Sequence, residues 1–390
     1  MSGGETGAAR HPHSPVTLPR THVLSELRRP PGEVMADGPR QARRWGLVAA
    51  VCVALAGAAP GAPPNAVTMT CANCHRAEAQ AQPKTDMGIG IELPPNQAVL
   101  QAHPKLTVEK NGYRYAIERQ NGASTYTVSD GSGALTLPIR YAFGVRNQTF
   151  LLEYEGHFYE SLVSYYERID GLATTMGDEK IHPHSLKEAM GRQTDDHEMT
   201  ACFGCHGTGA VNRDKLTLAA LQPGVNCEHC HAGADAHMQA MAAGTTGSVP
   251  RKLGEMAAEE MANFCGECHR TWESVVGLRL FGEKNVRFQP YRLANSQCFL
   301  GNDKRIRCTA CHDPHKELVR DDDASYDRAC LSCHATKTGA TVAAATQKAC
   351  PVSDKKCVSC HMPKVKVGTN PTVFTDHDIR VAHAGDPYPQ

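Results

Sequence analysis

Between residues 105 and 166 apolar and polar positions alternate. The runs are Leu106-Thr-Val, Tyr113-Arg-Tyr-Ala-Ile, Thr125-Tyr-Thr-Val and Thr149-Phe-Leu-Leu-Glu-Tyr. A period of two puts every second side chain on one face of a strand. Asn111-Gly112, Asn121-Gly122 and Asp130-Gly131 interrupt the runs, and such dipeptides close hairpins. The pattern predicts an antiparallel β meander of four to six strands over 104–160. Further along, short patches at 216–221, 234–243 and 256–264 predict helices, with loop between them. Near the start, the apolar run 45–59 follows Arg40, Arg43 and Arg44 and leads into Ala56-Gly-Ala-Ala-Pro-Gly-Ala62. It is short for a membrane span and has the order of a secretory leader: charge, apolar stretch, small-residue cleavage zone. Met35 begins a leader of ordinary length. Residues 1–34 show no periodicity and are expected to be an over-extended reading frame.

Composition changes the picture in one respect. The 390 residues carry 41 basic and 41 acidic side chains, which argues against a polybasic nucleic-acid binder. At 41% hydrophobic the chain is too apolar to be disordered, but 6% aromatic content is thin for a core built from protein alone. Cysteine, at 17, is the outlier. Something other than side-chain packing is expected to fill part of the interior.

The cysteines explain what. C-x-x-C-H occurs seven times, as Cys71/Cys74/His75, Cys202/Cys205/His206, Cys227/Cys230/His231, Cys265/Cys268/His269, Cys308/Cys311/His312, Cys330/Cys333/His334 and Cys357/Cys360/His361. This is the attachment motif for haem c. Two thiols add to the two vinyl groups of one haem, and the next residue faces the iron as proximal ligand. Paired C-x-x-C units also build zinc ribbons. Histidine is 20 of 390 residues, so its presence after all seven second cysteines by accident has odds on the order of 10⁻⁹. The expectation is therefore seven covalent haems, attached outside the cytoplasm. Cys52 leaves with the leader; Cys298 and Cys350 remain, and an oxidising compartment would favour a disulfide between them. From Cys202 to His361, 160 residues carry six motifs, under 30 residues each. That is too few for separate domains, so the haems must share one core.

Each iron has a sixth position. Ten histidines of the mature chain are not proximal: His103, His157, His182, His184, His197, His229, His237, His315, His377 and His383. That is enough for mostly bis-histidine haems, which have lower potentials than haems with methionine. His237 follows His231 on a predicted helix. His315 ends Cys311-His-Asp-Pro-His315, where the proline stiffens a turn. His377 sits in Thr375-Asp-His-Asp378. His184 shares a turn with His182. These four are the expected distal ligands; His229, between two attached cysteines, is expected to point outward. Met87 is a possible thioether ligand to the first haem. If neither it nor a histidine reaches that iron, the first haem is open.

Several of these stretches resemble the cytochrome c-554 (c-552/4) type of multihaem cytochrome. They are Pro223-Gly-Val-Asn-Cys-Glu-His-Cys-His231 with His237, Cys308-Thr-Ala-Cys-His-Asp-Pro-His315, and Cys357-Val-Ser-Cys-His-Met-Pro-Lys364 followed by Thr375-Asp-His-Asp-Ile-Arg380. Cys71–Gly88 and 151–166 resemble a subgroup more loosely. The resemblance implies a periplasmic haem chain with distal ligands at His237, His315 and His377. Members often carry a histidine before the 151–166 region, where this chain has Phe143-Gly-Val-Arg-Asn-Gln148. The expected fold is α+β with much irregular chain: a haem-packed core with short helices, plus an N-terminal antiparallel β region. Expected divisions are 1–34, a leader at 35–62, a first haem segment at 63–103, the β region at 104–168 and a six-haem domain at 169–390. The expected function is electron transfer between a quinol-linked donor and a terminal acceptor, with membrane association possible through such redox partners. The alternative is a reductase or oxidoreductase of a small nitrogen or sulfur oxyspecies at one five-coordinate haem. A third possibility is a subunit of a larger haem wire.

Overall fold

In the computed structural model, residues 70–300, 305–320, 322–334 and 349–389 are described. Residues 1–34, the leader at 35–62 and Cys52 lie outside them. Six strands form the expected meander: β2 (Lys105–Lys110), β3 (Tyr113–Gln120), β4 (Ala123–Ser129), β5 (Ala134–Phe143), β6 (Asn147–Tyr154) and β7 (His157–Ser161). Asn111-Gly112 and Asn121-Gly122 both have positive φ at the two central positions. Lys110 then pairs with Tyr113, and Gln120 with Ala123. Mirror-image turns of this kind match the right-handed twist of the strands they join. Glu155-Gly156 does the same between β6 and β7.

The sheet runs past 104–168 at both ends. β1 (Ile91–Glu92) pairs with β5, while β8 (Val163–Tyr166) joins β6 to β9 (Gly171–Thr174). β10 (Gly191–Gln193) adds to β7. These are two- to four-residue strands. They are too short to show a period, so tertiary pairing rather than local pattern makes them. A register shift between Ile139 and Tyr141 bends β5 where its partner changes from β4 to β6. The sheet curls until β2 meets β9. Tyr115, Ile117, Tyr126, Val128, Leu137, Ile139, Phe150 and Leu152 fill its inner face.

The described residues, from 70 to 389, belong to one compact unit. Beyond the sheet the chain is mostly short helices and turns. Two predicted helices form, Ala234–Ala242 and Ala258–His269. The third patch instead becomes a strand at Lys215–Leu216 and a 3₁₀ turn at Leu218–Ala220. Leu216, Leu218 and Leu221 pack there against Met199 and Phe203. The result is a mixed helix-and-sheet fold with a curled antiparallel sheet. Among the described residues no helix is long and apolar enough to cross a membrane.

Candidate functional site

Every motif lies in or at the end of a helical turn. These are Cys71–Asn73, Asp196–His206, Cys227–Cys230, Ala258–His269, Cys308–Cys311, Asp327–Leu331 and Cys357–His361. In a helical turn, positions i, i+3 and i+4 share a face. C-x-x-C-H therefore presents both thiols and the imidazole to one side. A backbone bond from the histidine N–H to the first cysteine carbonyl closes this loop in several motifs, at 2.8 Å for His75 and His231, 2.9 Å for His312 and 3.0 Å for His334.

The motifs lie side by side. Thiols of different motifs are close neighbours at Cys71 and Cys227, Cys205 and Cys268, Cys265 and Cys308, and Cys330 and Cys357. Cys230 is an electrostatic neighbour of Cys265 and Cys268, and Cys330 of Cys311. All seven motifs thus join one connected series, with the fourth touching the second, third and fifth.

The expectation of one shared interior does not extend to every motif residue. Cys74, Cys268, Cys311 and Cys360 are exposed, as are His75, His269 and His334, and Cys333 is half-buried. In the first, sixth and seventh motifs the leading cysteine takes the contact with a neighbouring motif. The second cysteine is exposed at Cys74 and Cys360, and equally at Cys268 and Cys311, which do contact a neighbouring motif. Cys333 Sγ lies 3.7 Å from Ser332 Oγ, and Cys360 Sγ 3.8 Å from Ser359 Oγ. Cys333 also neighbours Cys311. Attachment and proximal ligation rest on the motif in all seven copies.

Two histidine pairs face each other. His231 and His315 have ring centroids 6.2 Å apart and planes 7° from parallel. His312 and His377 are also 6.2 Å apart, with planes at 41°. A ring nitrogen about 2 Å from a metal, and a little over 1 Å from its own centroid, gives about 6 Å between centroids when two imidazoles share that metal. Both gaps fit one iron. Among the described residues, no group of three or more His, Cys, Asp or Glu is placed to hold a metal ion, as a zinc ribbon would require.

Five of the histidines have Nδ1 engaged. Nδ1 of His206 lies 2.9 Å from the Gly90 carbonyl, that of His361 3.0 Å from Arg380 O, and that of His377 3.0 Å from Thr375 O. His237 makes the same bond to Ser248 O at 2.7 Å. His315 Nδ1 is 3.3 Å from Asp313 Oδ1. Such partners fix the tautomer and leave Nε2 as the ligating atom. Burial lowers the pKa of His206, His231, His312 and His377, the last to about 4, so the neutral ring that a metal requires is the form present. Nδ1 of His312 is buried without a partner.

A cavity of about 840 Å³ opens beside Cys311 and His312. Leu318 and Val319 give it apolar walls, and Lys316 and Arg328 bring cations suited to carboxylates. The volume is in the range of cofactor sites. The residues present fit haem c. Residues 166–232, which include the second and third motifs, match the family described as cytochrome c554 and c-prime. This supports a multihaem c-type cytochrome. No curated protein matches the chain. A solved structure titled "Crystal Structure of Outer Cell Wall Cytochrome OcwA" is 15% identical, with 80% of this chain and 78% of that chain covered and a TM-score of 0.36.

The other expected residues are distributed as follows. His184 is exposed, in a turn where its backbone N–H bonds Glu188 Oε2 at 2.9 Å. His229, expected to point outward, is half-buried with Glu267 for a neighbour. His103 Nε2 lies 3.2 Å from Asp170 Oδ1. Met87 is 37% exposed, and its neighbour Asp86 bonds Arg146 at 3.1 Å and Arg320 at 2.7 Å. Arg146 therefore ties the segment that lacks a histidine to the first-motif segment. Cys298 lies near Cys311 and Cys330. Two further features had no sequence signal. Gly88, Gly90 and Gly224 form a tight backbone contact between motif segments, and a buried Arg292 stands behind His377.

Proposed function

We propose that the chain is a periplasmic or otherwise exported seven-haem c-type cytochrome that passes single electrons along closely packed, mostly bis-histidine haems in a respiratory chain. The connected series of motif cysteines is the observation that carries this reading. Haem c supplies a reversible one-electron iron couple when bound. The chain's own residues do the rest. Fourteen motif thiols anchor the groups, and the seven following histidines, from His75 to His361, take the proximal position. His315 faces His231, and His377 faces His312, each as the second axial ligand. His237, with Nδ1 tied to Ser248, and His184, from its exposed turn, complete the proposed distal set. A second imidazole in place of methionine lowers the potential. Redox proteins, a quinol-linked donor and a terminal acceptor, are the proposed partners.

Low-temperature EPR of the oxidised mature protein tests the reading, together with its intact mass. The expected result is a mass for the leaderless chain plus seven haems and only low-spin signals. A high-spin iron would mark an open site and transfer the lead to the reductase alternative. A mass short of seven haems would overturn the count.

A further inference from the structure

A loop imidazole is a poor axial ligand unless something holds the loop. Helix Gln289–Ala294 supplies the hold for His377. Arg292 is 1% exposed. Its Nε donates to Asp376 Oδ1 at 2.8 Å and its Nη2 to Asp376 Oδ2 at 2.9 Å, a two-point fork. Nη2 also donates to Asp378 Oδ2 at 3.3 Å, and Nη1 to Pro389 O at 3.2 Å and Asn285 Oδ1 at 3.5 Å. The Tyr388 ring covers the guanidinium at 4.7 Å. Just beyond the helix, Ser296 Oγ donates to the His377 carbonyl at 2.9 Å and accepts from Ile379 N–H at 2.8 Å. Two side chains from one helix end thus grip residues 376, 377, 378 and 379. Arg380 adds a bond to Asp376 at 2.7 Å from the far side.

We propose that Arg292, assisted by Ser296, is a positioning residue that presents the His377 imidazole to the iron held by His312. The proposal rests on the reading of His312 and His377 as the two axial ligands of one haem. The planar guanidinium meets both oxygens of Asp376 while reaching Asp378, so the residues on each side of His377 are fixed at once. A lysine keeps the charge but offers a point contact in place of the fork. With the turn released, water competes for the sixth position.

The test uses the haem-loaded full chain and four variants, read by EPR and visible spectra with and without added imidazole. His377→Gly should convert one haem to high spin, and imidazole should restore it. Arg292→Lys should raise the open fraction of the same haem roughly tenfold, the shift that about 1.4 kcal/mol of weakened placement produces. Imidazole should reverse this too, a response that general destabilisation would not give. Ser296→Ala and Asp378→Asn disturb the grip without emptying the Arg292 site, and should move the spin state in the same direction if Arg292→Lys fails to fold. Low-spin spectra in the Arg292, Ser296 and Asp378 variants, beside a high-spin His377→Gly, would overturn the positioning role and leave the ligand reading standing. An unchanged His377→Gly would overturn both.

Discussion

Asp178 is 8% exposed and its Oδ2 has no hydrogen-bond partner. Burial, reinforced by Glu160, raises its pKa to about 6 from 3.8. The folded state therefore holds this proton more tightly than the unfolded chain. Stability from this group is greatest in acid, falls as pH rises from about 4 to 6, and is at its lowest above that. Asp178→Asn removes the charge, so it should stabilise the protein at pH 7 by about 2–3 kcal/mol. The gain should vanish near pH 4. Denaturant midpoints at the two pH values check this, and a gain that does not depend on pH would refute it. The sequence hides such a residue, because nothing near Asp178 in the chain announces its burial. The same holds for Arg292, whose main partner Asp376 lies 84 positions away. The motif thiols and their histidines are readable because five consecutive residues carry the whole chemistry. Which of them are exposed, as Cys74, Cys268, Cys311 and Cys360 are, is not readable, because tertiary packing decides it. His315 and His377 are readable as candidates from a proline-stiffened turn and a flanking acid pair. The rings they face, His231 and His312, are not, because those approaches are made by tertiary packing.

At the scale of elements, hairpins follow from local sequence and close approaches do not. Asn-Gly at 111–112 and 121–122 dictates turn type through left-handed backbone, and the six central strands follow from it. The contact between the first-motif segment and the second and third motifs depends instead on glycines with no local pattern. A Cβ on Gly224, where φ is +79°, would sit 1.8 Å from the Gly88 carbonyl oxygen. Nearby, Val225 N–H donates to Met87 O at 3.1 Å and Gln82 Nε2 to Val225 O at 2.6 Å. Gly224→Ala must therefore push the segments apart as well as strain its own backbone. Gly112→Ala, at φ +81° with nothing within 4 Å, carries only the backbone cost, on the order of 1–2 kcal/mol. The Gly224 variant should lose at least about 2 kcal/mol more than the Gly112 variant, by thermal or denaturant melting. Proteolysis within 76–90 should also quicken in the Gly224 variant alone. Equal losses would mean that the approach is not tight in solution.

Across the whole molecule, protein packing is unevenly spread. The sheet encloses a large apolar cluster running from Leu100 to Met190. Past residue 226, the clustered buried apolar core among the described residues is Val275, Phe288 and Tyr291. That region carries five of the seven motifs, and on the proposed reading haem fills its interior. An ion network spans the two regions: Asp86, Arg146, Glu167, Glu317 and Arg320 join the first-motif segment, the sheet and the loop after the fifth motif. Its members are partly exposed, and exposed ion pairs are each worth about 1 kcal/mol or less, so it fixes register more than it supplies stability. The two halves should then respond differently when haem is withheld. In the full chain with all fourteen motif cysteines changed to serine, amides of β3 to β6 should exchange with deuterium as slowly as in the haem-loaded protein. Amides of 227–269 and 308–320 should exchange at least about 100-fold faster, a loss of roughly 3 kcal/mol in local opening free energy. Equal protection of both regions would mean that the short helices pack without the cofactor, and that haem is a passenger in the fold rather than its core. Equal loss would mean that the sheet depends on haem through the contact at Gly88, Gly90 and Gly224. Fast exchange confined to the motif-bearing half would match the distribution of apolar side chains, because among the described residues the sheet holds much the larger core.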